Sequence, residues 1–174
     1  MRGIQHLTLG FAVGMTGAFF YGAPVAGMGF AASCCVGSLY PDLDIPTSTV
    51  GKVVPPISIL INRICGHRGF FHSPINLAAS GFLFYKILLL FHLDYSEVYA
   101  LGFLYGFLIH LIQDTFTVNG IRWLWPLPWK IRIIGIHSDR NTACWIVTTL
   151  LFIFSLFFLK KFLYFFMLAL YRNI

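Results

Sequence analysis

The sequence predicts an all-α fold, a polytopic integral membrane bundle of about five transmembrane helices. Three observations predict it. The chain is 58% hydrophobic and only 10% charged, with a mean hydropathy of +0.79, whereas a soluble domain carries about 25% charged residues. Its 19 Phe are too many to hide in one small aqueous core. No charged residue falls between Leu7 and Tyr40, a stretch too long for one span of about 20 residues and suited to two short ones.

The elements follow in order. The first span covers about 5–20 and the second about 25–39, separated by the "YGAP" turn, because Gly and Pro punctuate helices. Both spans are rich in Gly and Ala, which lets membrane helices approach closely. Residues 41–72 form a polar connection. Ser73 as N-cap and Pro74 at the first helical position then open a third span, about 74–91. "HLDYSE" is a short acidic turn, the fourth span covers about 98–117, a basic loop reaches Asn141, and the fifth span covers about 142–159. The tail from Phe162 to Tyr171 is too short to cross again, so it is expected to re-enter or lie in the interface. The whole chain, 1–174, reads as one membrane-embedded domain, with a motif core over 1–132 and a C-terminal helical region over 142–174. The N-terminal segment reads as retained, since its apolar run exceeds a signal-peptide core. The four cysteines lack CxxC spacing, which speaks against a thiolate metal site or disulfide framework.

Five spans put Arg2, Lys52, Arg63, Arg68, Arg122, Lys130, Arg132 and Arg140 on one side. The opposite turns hold Asp94 and Glu97. Excess Lys and Arg mark cytoplasmic loops, so the basic side is expected to face the cytoplasm of a cell (inner) membrane. Lys160 and Lys161, which then emerge outside, oppose that orientation.

The remaining polar groups gather at the same depth on that side. His6 starts span one, Asp42 and Asp44 in "PDLD" follow span two, and His67 and His72 precede span three. His110 and Asp114 lie four residues apart in span four, on one helix face about 5–6 Å apart at Cβ. Ionisable residues inside a span are costly and face the protein interior or a water-filled cavity. Imidazole with carboxylate suits zinc, with manganese or iron as alternatives, rather than the all-oxygen shells of magnesium or calcium. In an extended "PDLD" alternate residues point the same way, so both carboxylates could face one site. A solvated turn is the plain alternative there. A His–Asp hydrogen bond between helices is the plain alternative for His110 and Asp114. Arg68, in "HRGFFHS", is the candidate clamp for a phosphate or carboxylate. His92 lies on the opposite side, and His137 sits in a basic loop as a surface residue or a ligand. "WLWPLPW" reads as an interfacial aromatic belt that, with Arg122, Lys130 and Arg132, could seat anionic lipid headgroups.

His6, "LYPDLDIPTSTVG", "HRGFFHS" and "GFLIHLIQDTFTVNGIRWLWP", in that order, resemble the YdjM-like (LexA-regulated) family of membrane-bound metal-dependent hydrolases. The resemblance covers about residues 1–132 and rests on four separate motifs. It implies a distant relation to zinc-dependent phospholipase C. Its polar set matches His6, Asp42, Asp44, His67, His72, His110 and Asp114. Two positions depart from the family pattern: Ile45 stands where a His is usual, and Phe71 where a Thr is usual.

The function expected is that of a hydrolase with one or two divalent ions, acting on a phosphoester of a lipid, a polyprenyl carrier or another amphiphile. Asp42 or Asp44, whichever is not a ligand, is the candidate general base, and Arg68 would stabilise developing negative charge. Nucleic acid is not an expected partner. The alternative is a non-catalytic metal-binding membrane protein with a structural or stress-response role. Transport fits less well, because the polar residues stop on one side instead of continuing across the midplane.

Overall fold

The computed structural model describes residues 3–21, 23–66, 68–137 and 142–172. Six helices carry the fold: α1 (Gly3–Phe20), α2 (Pro24–Leu39), α3 (Pro55–Cys65), α4 (Pro74–Leu90), α5 (Ser96–Thr115) and α6 (Thr142–Arg172). Two 3-10 turns, Tyr40–Asp44 and Phe70–His72, complete the described helical structure. Among the described residues the only β pairing is two isolated bridges, Thr117–Ile136 and Ile121–Ile131.

α2 lies between α1 and α5, and small residues set how close it lies. A Cβ on Gly106 would collide with the Cys34 carbonyl, and one on Gly37 with the Phe103 carbonyl. The α2–α5 backbones therefore touch, as glycine-rich membrane helices do. Below this contact Phe103, Phe107, Leu111 and Ile121 form a buried cluster, flanked by Tyr40, Phe84 and Trp123. A second cluster of Met15, Ala18, Ala31 and Phe162 joins α6 to α1 and α2. α4 starts as its sequence predicts: the Asn76 amide donates to Ser73 Oγ at 3.2 Å, and Pro74 opens the helix.

The outer surface is apolar. α4 exposes Phe82, Leu83 and Leu90, and α6 exposes Ile146, Leu150, Ile153 and Phe157. One helix segment, Cys144–Leu168, is long and apolar enough by itself to cross a membrane.

Three expectations are corrected. The fifth span does not end near 159, because α6 runs unbroken through Lys160 and Lys161 to Arg172. No Gly or Pro interrupts 142–172, and the Lys161 ammonium lies 4.8 Å from the Phe157 ring centroid, over its own helix. The 41–72 connection is not simply polar, since it contains α3. And "PDLD" is not extended. It forms a 3-10 turn, in which residues two apart diverge by about 240°.

Candidate metal centre

The polar cluster sits at one end of the bundle, where α1 begins, α2 and α5 end, and α4 is about to begin. His6, Asp42, Asp44, His72, His110 and Asp114 are all buried there, each 4% exposed or less.

Each described imidazole of the cluster is held by its Nδ1. His110 Nδ1 lies 2.7 Å from the Ser38 carbonyl, which can only accept, so Nδ1 carries the proton. His6 Nδ1 lies 2.8 Å from Gln113 Oε1. The Gln113 amide nitrogen donates to the Gln5 carbonyl at 3.3 Å, which fixes the amide with its oxygen towards His6. His72 Nδ1 donates to Asp44 Oδ2 at 3.2 Å. Such partners fix tautomer and ring orientation, as they do around metal-bound histidines.

The three Nε2 lone pairs therefore turn towards buried carboxylates. His72 Nε2 and His110 Nε2 stand 3.2 Å apart. Two ligands about 2.0–2.1 Å from one tetrahedral zinc would be separated by about 3.3 Å. Lone pairs facing at this distance repel unless a cation, a proton or a metal ion, stands against both. Asp42 Oδ1 lies 3.9 and 3.8 Å from these two nitrogens, and Asp114 Oδ2 lies 3.7 and 3.9 Å from them. The His6 ring stacks on that of His110 at 3.8 Å between centroids. Its Nε2, buried and without a hydrogen-bond partner among the described residues, is 3.5 Å from Asp114 Oδ1. Two overlapping ligand groups result, His6–Asp42–His110 and His72–His110–Asp114, each with its ligand atoms within 4.8 Å. The donor set fits a divalent ion of the zinc, manganese or iron type.

Asp42 and Asp44 straddle His72, one towards each ring nitrogen, because the 3-10 turn separates them. Asp44 Oδ2 accepts from both His72 Nδ1 and the Arg68 amide, the latter at 3.0 Å. It thus braces the His72 ring from behind. Asp42 faces the three imidazoles and also lines a cavity of about 410 Å³ with Gly3, Ile4, Ile45, Thr47, Ser48 and Thr49. Burial pushes the Asp42 carboxyl above the usual carboxylate range; His6 and His72 oppose that rise and Asp114 adds to it.

Arg68 does not present an open anion clamp. Its Nη2 pairs with Asp114 Oδ2 at 2.8 Å, and its Nη1 donates to Thr117 Oγ1 at 2.8 Å and the Gly120 carbonyl at 3.3 Å. The guanidinium is needed inside, where it neutralises a buried carboxylate. Its backbone takes a left-handed φ of 56°, and the bond from its amide to Asp44 holds it there. His67 lies outside the described residues. His92 and His137 are exposed, and neither belongs to the ligand groups found among the described residues. Phe71, at the family's usual Thr, stacks on Tyr40 with centroids 5.8 Å apart.

Sequence reasoning missed Gln113, the Ser38 carbonyl and Asn62, whose amide donates to the Asp44 carbonyl at 2.8 Å. A backbone carbonyl carries no residue signature. Gln113, however, directly precedes Asp114 and is a polar side chain inside an apolar helix.

The sequence profile of the YdjM inner membrane protein family matches residues 1–172. The chain belongs to this family. It is 33% identical over 135 residues to the uncharacterized protein YvsG of Bacillus subtilis, covering 76% of this chain and 78% of that one. It is 32% identical over 130 residues to the inner membrane protein YdjM of Escherichia coli and to that of Shigella flexneri. Those alignments cover 71% of this chain and 63%, less than two thirds, of each YdjM protein. No solved structure matches the chain.

Proposed function

We propose that this family member is a multi-pass membrane hydrolase that uses one or two divalent metal ions to cleave a phosphoester of a lipid or other amphiphile. The observation that carries the proposal is the burial of three Nδ1-anchored imidazoles in two overlapping ligand groups that include Asp42 and Asp114. The chemistry an ion supplies there is Lewis-acid polarisation and a nucleophile available at neutral pH. His6, His72, His110 and Asp114 would hold it, with zinc as the first candidate. Whether His67 joins them is part of the same proposal.

Asp42 is the group best placed to move a proton, because it alone of the buried carboxylates lines the cavity. Its raised carboxyl range brings it nearer the operating pH of a general base. Asp44 keeps the His72 ring in register, and Arg68 balances Asp114. The five-span arrangement belongs to the proposal as well. α1, α2, α4 and α5 contain 18, 16, 17 and 20 residues, or about 24–30 Å of helix against a hydrocarbon core of about 30 Å. The cluster would then open at the cytoplasmic headgroup layer, where Lys52, Arg63, Lys130 and Arg132 are exposed.

The near-complete burial of the donors favours a second reading, a closed structural metal site without catalysis. The cavity beside Asp42 favours the open one. Release of the headgroup or of phosphate from phospholipid and polyprenyl phosphoesters, by the metal-loaded full chain, separates them. Activity that falls about 10²–10⁴-fold in Asp42→Asn, with metal retained, is the expected result. No release from any phosphoester tested would leave the structural reading.

A further inference from the structure

α3 is amphipathic with its polarity inverted. Ser58, its single fully buried residue, and Asn62, one turn later, face the protein. Asn62 ties the helix to the Asp44 carbonyl. On the outer side Ile57, Leu60 and Ile64 form a stripe at helical spacing, with Leu60 58% and Ile64 74% exposed. Val53, just before the helix, is 76% exposed. A helix facing water would carry the opposite pattern. Eleven residues span about 16 Å, half of what a bilayer crossing needs.

We propose that α3 is an interfacial helix, lying in the plane of the membrane surface with its apolar stripe in lipid and anionic headgroups at its two ends. Charge selects the partner. Lys52 precedes the helix and Arg63 closes it, both exposed, and no acidic residue occurs between Ile45 and Leu93. Each basic group near an anionic surface adds about 1 kcal/mol of attraction. The connection after α5, at the same end of the bundle, repeats the pattern: Trp129, Ile133 and Ile134 are exposed among Lys130 and Arg132. The consequence for the site is direct. The polar face of α3 holds the segment bearing Asp42 and Asp44, and the cavity at Asp42 is lined by Ile45, Thr47, Ser48 and Thr49, which lead into α3. An amphiphile lying in the headgroup layer meets that opening without leaving the membrane.

The proposal stands apart from metal binding, so its test reads lipid, not activity. A benzophenone amino acid is placed at Leu60, or separately at Ile64, in the full chain in nanodiscs of mixed phosphatidylglycerol and phosphatidylcholine. Phe152 on α6, exposed on the long apolar helix, is the lipid-facing reference. Irradiation is expected to give lipid adducts at both α3 positions, enriched several-fold in phosphatidylglycerol over its share, with the enrichment lost in Lys52→Glu/Arg63→Glu. Three outcomes would overturn the proposal: no adduct on α3 while Phe152 still yields one, adducts to a second copy of the chain, or adducts with no preference for the anionic lipid.

Discussion

At the scale of residues, the centre depends on what stands behind each ligand. Asp44 touches His72 Nδ1 and the Arg68 amide, so its loss leaves the imidazole free to turn. Removing such a partner weakens metal binding about 10–100-fold. Asp44→Asn is therefore expected to lower zinc affinity by that factor without abolishing it, measured by competition with a chromophoric chelator. Asp42 makes a pH prediction. Burial holds its carboxyl above the usual range in the metal-free fold. A folded value above the unfolded one means that its contribution to stability is present below the ordinary carboxylate range. That contribution is lost as pH rises through the raised value. A metal ion beside Asp42 favours its carboxylate form, so affinity climbs with pH over the same window. Comparing wild type with Asp42→Asn, thermal stability in chelator should decline across that window in the wild type alone. With saturating zinc the difference should reverse sign. Parallel curves in both conditions would remove Asp42 from the centre.

At the scale of elements, the ligand geometry rests on α2 touching α5. The Ser38 carbonyl reaches His110 because Gly37 and Gly106 let the two backbones meet. Gly106→Leu is expected to destabilise the protein by about 1–3 kcal/mol through overpacking. It should also lose metal with the His110 anchor, read as a lower melting temperature together with a lower metal content. Metal content unchanged in a folded Gly106→Leu variant would contradict that coupling. The helices α1, α2, α4 and α5 were legible because long uncharged runs and Ser73-Pro74 state them directly. His6, Asp42, His72, His110 and Asp114 were legible because ionisable groups within or beside long apolar runs are too costly to be incidental. α3 was not, because the connection was read by its charges, and the stripe Ile57, Leu60, Ile64 follows two prolines that resemble a loop. The unbroken course of α6 was missed for the opposite reason. A lysine pair suggests a membrane boundary, yet Lys is a good helix former and breaks nothing.

At the scale of the whole molecule, the fold is apolar outside and polar at one buried end, and these features explain each other. An apolar outer surface leaves the ionisable groups the interior or the ends of the bundle, and α1, α2, α4 and α5 all bring their polar termini to the same end. α6 adds apolar surface and packs on α1 through Phe162, contributing no member of the cluster among the described residues. The most direct test of the central claim is the metal content of the purified full chain, measured by elemental mass spectrometry beside a His72→Ala/His110→Ala variant. The expected result is about one or two equivalents of zinc, manganese or iron in the wild type, and none in a variant that still folds. No metal in the wild type, even after reconstitution with each of these ions, would contradict the account.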